Sequence, residues 1–157
     1  MPKVTPWLWF DTEGEEAAEF YTSVFPNSKI VEVTRYGSAG PRPEGTVMTV
    51  TFELDGQRIG ALNGGPDFTF NEAVSFMVEC ADQDEVDHYW YALSEGGEEG
   101  PCGWLKDRYG LSWQIVPKAL QELLDDPDRE KAQRVMGAML QMGKIEIAGL
   151  EAAAQAA

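Results

Sequence analysis

A strand followed by a helix is predicted twice along the chain, with closely similar spacing of side chains. When the sequence is compared with itself at a shift of 69 positions, Trp7 falls on Phe76, Trp9 on Val78, Glu16 on Glu85, Phe20-Tyr21 on Tyr89-Trp90, and Val24 on Leu93. A shared spacing from a strand to an aromatic pair and an aliphatic residue is typical of a duplicated unit. The sequence therefore predicts a fold built from two copies of one unit.

In the first half, alternating and helical patterns extend this unit to β-α-β-β-β. The predicted strands are residues 4–11, Lys29–Tyr36, Thr46–Leu54 and Gln57–Asn63, and the predicted helix is Glu13–Phe25. Asp55-Gly56 is typical of a hairpin turn, and the glycines and prolines of Gly37–Gly45 indicate a loop. Gly64-Gly65-Pro66 then breaks the pattern and marks the boundary between the halves.

The second half repeats this order, with one weak strand. The predicted strands are Ala73–Cys80, Cys102–Lys106 and Leu111–Val116, and the predicted helix runs from Asp82 to about Leu93. Lys118–Leu124 and Arg129–Met142 are predicted to be helical, whereas the alanine-rich Leu150–Ala157 is expected to fray. We predict an α+β fold in one domain, residues 1–157, with modules at 3–66 and 70–117 and a C-terminal helical extension at 118–157. Its methionines are expected to cover the sheet or a second subunit.

Charge and composition exclude several classes of partner. The chain has 157 residues and a net charge of −15, so its surface would repel nucleic acid and an anionic membrane. No run of about 18 apolar residues is present, and the first residues lack the pattern of a secretory signal. The two cysteines, Cys80 and Cys102, do not suggest a disulfide framework. We therefore expect a cytoplasmic protein.

The usual motifs of catalysis and cofactor binding are missing from the sequence. His88 is the single histidine and lies in an acidic helical run, so neither a histidine metal cluster nor a Ser/His/Asp triad can be assembled. The chain contains neither GxxxxGK[ST] nor GxGxxG, which a phosphate loop and a dinucleotide fold require. We predict no metal and no cofactor.

Aromatic and amide side chains at strand ends and turns form the candidate ligand site. Amides donate and accept hydrogen bonds without ionising, and aromatic rings supply apolar walls. Strand alternation predicts that Trp7, Trp9 and Trp113 face the helices, with their neighbours on the opposite, concave face. The predicted site comprises Leu8, Phe10, Asn63, Phe68, Phe70, Ser75, Trp104, Ser112 and Gln114. The alternative is that several of these residues only pack in the core.

Long ordered strings carry a resemblance to a known family. They are LWFD-x4-EAAEFY-x3-FPNSKI, ALNGGPDFTFNEAVSF, CGWLKDRYGLSWQIVP and RVMGAMLQMGKIEI, and together they span nearly the whole chain. The sequence resembles the PhnB-like group of the glyoxalase/bleomycin-resistance (vicinal oxygen chelate) superfamily, a group also labelled demethylubiquinone methyltransferase-like. The resemblance implies cupped sheets and four inward metal ligands, normally His or Glu.

The positions that match those ligands are poor metal donors here. The resemblance places them at Gln114, at Asn63, and near Val4–Pro6 and Ala73–Ser75, where no histidine occurs. Two neutral amides would bind a divalent ion weakly. The methyltransferase label has no support from the strand and helix pattern, because the chain lacks the alternating β/α order and early glycine-rich turn of a Rossmann-like methyl-donor fold.

Three functional hypotheses follow. The first is a metal-free homodimer that binds an unknown small molecule on the concave sheet. The second is a metal-independent enzyme, such as the methyltransferase of the group's label, that uses Glu72, Glu79 or the Cys102 thiol, with a carboxyl pKa raised by an apolar cavity. The third is a metal-dependent glyoxalase- or dioxygenase-like enzyme.

Overall fold

The chain folds into two compact α+β units. A computed structural model describes residues 3–156, and the chain divides into the units Met1–Thr69 and Phe70–Ala157. Each unit contains a four-stranded mixed sheet, so the predicted fold class is confirmed. The assignment of both units to one domain stays a prediction. Within residues 3–156, no helix combines the length and apolar character needed to cross a membrane.

The first unit has the predicted β-α-β-β-β order. Its elements are β1 (Trp7–Phe10), α1 (Gly14–Val24), β2 (Lys29–Arg35), β3 (Val47–Leu54) and β4 (Gln57–Asn63). The strands lie in the order β1-β4-β3-β2, with β1 parallel to β4 and the other pairs antiparallel. Tyr21 of α1 is fully buried and stacks on Phe52 of β3, with ring centroids 6.2 Å apart, so α1 covers one face of this sheet.

The second unit repeats this topology. Its elements are β5 (Ser75–Cys80), α2 (Gln83–Ser94), β6 (Glu98–Glu99), β7 (Trp104–Lys106) and β8 (Ser112–Pro117). The strand order is β5-β8-β7-β6, with β5 parallel to β8. The weak strand of the sequence pattern is β6, which has only two residues. The apolar stripe of α2 is buried as predicted and consists of Val86, Tyr89, Trp90 and Leu93.

The C-terminal extension packs as three helices within the second unit. They are α3 (Lys118–Leu124), α4 (Arg129–Met139) and α5 (Ile147–Gln155). Their buried cluster contains Leu120, Val135, Ile145, Leu150 and Ala154, with Met139 and Met142 packed against it. The prediction that the alanine-rich end frays is wrong for the described residues, because α5 buries two apolar side chains there; Ala157 lies outside them.

The two copies differ by one residue between the strand and the helix. Residues 11–13 separate β1 from α1, whereas only residues 81–82 separate β5 from α2. The shift of 69 positions therefore aligns the two helices, whereas the two strands align at a shift of 70 positions. At that shift, Phe10 on the helix-covered face of β1 corresponds to the buried Cys80 of β5. Because side chains alternate along a strand, this single residue reverses the face predicted for every β1 side chain.

Candidate functional site

The first sheet presents its tryptophans on the face opposite α1. Leu8 pairs in register with Ala61 and Phe10 with Asn63, and the Asn63 side chain contacts the start of α1. Directly paired residues share a face, so Leu8 and Phe10 lie beneath the helix, where they are 6% and 4% exposed. The prediction that Trp7 and Trp9 face the helix is wrong, because both lie on the face of the sheet opposite α1.

Asn63 holds the N-terminus of α1 against β4. Its Oδ1 accepts from the backbone N–H of Gly14 at 2.8 Å, and its Nδ2 donates to the carbonyl oxygens of Thr12 at 3.2 Å and Val47 at 3.3 Å. The Tyr36 hydroxyl donates to the Asn63 carbonyl oxygen at 2.6 Å. The side chain thus satisfies backbone groups at a helix end that would otherwise lack partners.

Asn63 is therefore not the counterpart of Gln114. In the second unit, Gln114 pairs in register with Met77 of β5. The strand correspondence of 70 positions relates Met77 to Trp7, and Trp7 pairs with Gly60. The position that matches Gln114 in the first unit is a glycine.

Uncharged polar side chains meet on the face of the second sheet opposite α2. Ser75 and Ser112 pair in register, and Gln114 Nε2 donates to Ser75 Oγ at 2.9 Å. Trp113, the neighbour of both Ser112 and Gln114 along β8, is 2% exposed and points the other way, as predicted. We call Ser75, Ser112 and Gln114 the polar cluster; the structure brings these three predicted residues together.

The hydroxyl of Ser112 is buried without a hydrogen-bond partner. The residue is 1% exposed, and within residues 3–156 only Ser112 Oγ and Arg58 Nε are buried side-chain nitrogen or oxygen atoms that lack a partner. A buried polar group without a hydrogen bond costs about 1–3 kcal/mol. Such a group in a native structure calls for an explanation.

Trp104 and an ion pair flank the polar cluster. Trp104 pairs with Gln114 across β7 and β8 and is half-buried, and Lys106 pairs with Ser112. Lys106 Nζ forms an ion pair with Glu72. The hydrogen bond from Lys106 lowers the pKa of Glu72, and Glu72 raises the pKa of Lys106. The raised carboxyl pKa that the metal-independent enzyme hypothesis requires is therefore not found at Glu72, whose side chain is 59% exposed.

The other predicted groups make different contacts. The Glu79 side chain is 60% exposed and lies 3.8 Å from Lys118 Nζ. Cys102 has a left-handed φ of 59°, and its backbone N–H donates to the Met142 carbonyl oxygen. Phe68 is 64% exposed in the first unit, whereas Phe70 is half-buried in the second.

Sequence reasoning missed Trp7, Trp9 and Lys106 as members of these open faces. A signal for the tryptophans was present at Gly60, inside the otherwise apolar β4, since a glycine within a strand often marks a close approach by another group. No comparable signal identified Lys106, whose place depends on the pairing register of β7 with β8.

Comparison with known proteins gives concordant matches in sequence and fold. A sequence model of the family described as 3-demethylubiquinone-9 3-methyltransferase matches residues 2–116. A PhnB protein from Bacillus cereus, described with the same methyltransferase name, has 38% identity and a TM-score of 0.66, covering 74% of this chain and 99% of its own.

Two further solved structures share the fold at low identity. Protein PA1353 from Pseudomonas aeruginosa has 18% identity and a TM-score of 0.62, covering 74% of this chain and 98% of its own. The fosfomycin resistance protein FosX from Listeria monocytogenes, complexed with Mn(II) and sulfate, has 17% identity and a TM-score of 0.56. The match covers 80% of this chain and 100% of the FosX chain. No curated protein matched the sequence.

The side chains of this chain do not fit a divalent metal of the kind that FosX binds. Within residues 3–156, no three His, Cys, Asp or Glu side chains converge to hold an ion. His88 is exposed on α2, where its ring lies 4.9 Å from that of Tyr89. Gln114 with two serine hydroxyls is a weak donor set, and the matching position in the first unit is Gly60. The prediction of a metal-free protein stays a prediction.

Proposed function

Because the chain belongs to the PhnB-like (3-demethylubiquinone-9 3-methyltransferase) family of the vicinal oxygen chelate superfamily, we propose that it binds a small molecule at the polar cluster without a metal ion. The observation that carries this proposal is the buried, unpartnered hydroxyl of Ser112. A ligand oxygen or N–H group that reaches this hydroxyl would supply its missing hydrogen bond.

The surroundings of the cluster favour an uncharged polar ligand. The charges of Lys106 and Glu72 compensate each other, so neither is left to select an ionic group. Trp104 supplies an apolar surface, and the cluster supplies hydroxyl and amide groups that donate and accept. A carbonyl or hydroxyl compound with an apolar part satisfies both features.

A thermal-shift screen of neutral carbonyl and hydroxyl compounds tests this proposal. Any ligand of the native state must raise stability, by about 2.7 kcal/mol at 100 times its Kd. We expect hits with the wild-type chain that are lost in Ser112→Ala and retained in Ser38→Ala, a matched control in an exposed loop. The proposal fails if no compound stabilises the wild type, or if the hits stabilise Ser112→Ala equally.

No described side chain favours the two enzymatic alternatives. Glu72 is held by Lys106, Glu79 is exposed, and Cys102 uses its backbone at the turn before β7. The name of the family refers to methyl transfer, but the Glu72 carboxylate is paired with Lys106 and the Glu79 side chain is 60% exposed, so neither carboxylate lies in an apolar cavity. Binding, rather than turnover, is therefore the proposed activity.

Homodimer formation is a further part of the proposal. Leu140 follows α4 and is 56% exposed, which leaves an apolar side chain available for a second copy. Light scattering after size exclusion should give twice 17.4 kDa for the wild type and a smaller mass for Leu140→Glu. Val31→Glu, which alters an exposed apolar residue of the first unit, should leave the mass unchanged.

A cytoplasmic location is also proposed, because Cys80 and Cys102 are both free thiols.

A further inference from the structure

The ion pair between Lys106 and Glu72 crosses the start of β8. Lys106 pairs in register with Ser112 from one side of β8, and Ser75 pairs with Ser112 from the other side, so the three side chains share a face. Glu72 lies in the turn that leads into β5, shortly before Ser75. Because β8 lies between β7 and β5, the contact from Lys106 to Glu72 passes over the start of β8, where Ser112 is the first residue.

The hydroxyl of Ser112 is closed to ligands in this arrangement. Ser112 is 1% exposed, although it lies on the face of the sheet opposite α2. The other two members of the polar cluster bond to each other, since Gln114 Nε2 donates to Ser75 Oγ. A ligand reaches the Ser112 hydroxyl only if a neighbouring side chain moves, so the proposed function requires a group that opens.

The ion pair can be displaced at little cost. The Lys106 and Glu72 side chains are 37% and 59% exposed, so water competes for both charges and their attraction is weak. Glu98 of β6 pairs in register with Lys106, and Glu72 and, to a smaller extent, Glu98 raise the pKa of Lys106. Lys106 therefore keeps a carboxylate beside it when Glu72 moves away.

The turn before β5 holds the backbone of Glu72 in place. Asn71 Oδ1 accepts from the backbone N–H of Ala73 at 2.9 Å, which closes a turn around Glu72. The hydrogen bond from Lys106, followed by one from the backbone N–H of Glu72, lowers the pKa of the Glu72 carboxyl, so this group is charged at neutral pH. Separation of the pair thus requires only that the two charged side chains rotate.

We propose that the ion pair of Lys106 with Glu72 is a latch that covers the Ser112 hydroxyl when closed and admits a ligand when open. The inference rests on the proposed function, because the ligand is the one that bonds to Ser112. Salt screens an exposed ion pair, so a rise in ionic strength opens the latch. The ion pair thereby regulates access to the polar cluster.

Alkylation of a Ser112→Cys chain by N-ethylmaleimide measures opening without any ligand. The reagent is uncharged, so neither salt nor nearby charges change its approach. Every chain in the comparison also carries Cys102→Ala, which removes the more accessible native thiol, whereas Cys80 is buried and common to all. Mass spectrometry of the peptide that contains position 112 gives the rate at the introduced thiol.

Two variants break the latch with opposite effects of charge on this thiol. Glu72→Gln leaves the positive Lys106, which favours the reactive thiolate, whereas Lys106→Gln leaves the negative Glu72, which disfavours it. Because both remove the ion pair, we expect both to speed alkylation about 2- to 5-fold. Glu79→Gln, which breaks the exposed ion pair with Lys118, is the matched control and should have no effect.

Salt provides a test without a change at the latch. Sodium chloride at about 0.5 M should speed alkylation of the Ser112→Cys chain and leave the rate unchanged when Glu72→Gln is also present. Circular dichroism confirms that each variant is folded. If Ser112→Cys does not fold, Ser75→Cys on the neighbouring strand serves as the reporter, with the same changes expected.

Two results would overturn the latch. One is an equal rate of alkylation in all variants and at both salt concentrations. The other is faster alkylation in Glu72→Gln with slower alkylation in Lys106→Gln, which would show an effect on thiol ionisation alone. The proposed function fails separately: faster alkylation in both variants supports the latch even if the thermal-shift screen gives no hits, and hits with unchanged alkylation refute the latch alone.

Discussion

The hydroxyl of Ser112 is expected to lower the stability of the free chain and to contribute to ligand binding. Because it is buried without a partner, its removal should stabilise the chain in the absence of ligand. We expect Ser112→Ala to raise the free energy of unfolding by about 1 kcal/mol, as measured by urea denaturation. Ser75→Ala, which removes the acceptor of the Gln114 amide, should lower it. A destabilised Ser112→Ala variant would show that the hydroxyl makes a stabilising bond in the native protein.

Cys80 should make the protein less stable at alkaline pH. Burial, together with Glu85 and other nearby carboxylates, raises the pKa of its thiol from 9.0 to about 12. Above pH 9 the unfolded chain releases this proton while the folded chain keeps it, so the thiol favours unfolding between pH 9 and 12. By pH 10 this loss is about 1.4 kcal/mol.

Urea denaturation at pH 8 and pH 10 measures this effect. The difference in unfolding free energy between the two pH values should be about 1.4 kcal/mol smaller in Cys80→Ala than in the wild type. Ser38→Ala, at an exposed residue that does not titrate, serves as the control and should behave as the wild type does. Equal pH dependence in Cys80→Ala and the wild type would show that the thiol titrates normally in the folded chain.

At the scale of elements, Gln83 at the start of α2 joins that helix to the C-terminal extension. Its Nε2 donates to the Ile145 carbonyl oxygen at 3.0 Å, and its Oε1 accepts from the Ile147 N–H at 2.8 Å. Gln83→Ala should lower stability by about 1–3 kcal/mol and speed hydrogen exchange at the Ile147 amide. The exposed Gln133→Ala on α4 should change neither. Unchanged exchange at Ile147 would contradict this role.

The sequence predicts elements with strong local patterns well. The bounds of Gln57–Asn63 and Lys118–Leu124 agree with the structure, because alternation and helical spacing are local signals. The faces of β1 were predicted wrongly, since a strand has a period of two and the connector before α1 is one residue longer than the one before α2. That same error placed Leu8 and Phe10 on the open face of the sheet and Trp7 and Trp9 beneath the helix.

Contacts distant in sequence explain the remaining differences. The end of the chain is rich in alanine, yet α5 is ordered because Arg134 donates to the carbonyl oxygens of Ala153 and Ala154 and because Leu150 is buried. Neither the hydrogen bonds of Arg134 nor the burial of Leu150 can be predicted from the local amino-acid composition. Likewise, the bond between Gln114 and Ser75 depends on the parallel register of β5 with β8, which no turn specifies.

At the scale of the whole molecule, the C-terminal extension completes the second unit although the family match ends at residue 116. The backbone N–H groups of Cys102 and Gly103 donate to the carbonyl oxygens of Met142 and Gly143, at 2.7 Å and 2.8 Å. Val116 of β8 packs against the apolar cluster of the extension. Deleting residues 118–157 would leave both donors without acceptors and expose this apolar surface.

We therefore expect the deletion to lower the thermal midpoint of unfolding and to speed hydrogen exchange in β7 and β8, while amides of β3 and β4 keep their protection. Ile145→Ala in the full chain is the milder test, because it removes one fully buried side chain and should cost about 2–5 kcal/mol. If the deleted chain kept both its midpoint and the protection of β7, the second sheet would be stable by itself. The extension would then not be needed to position the polar cluster. The pairing of β7 with β8, which places Ser112 beside Lys106, would form without it.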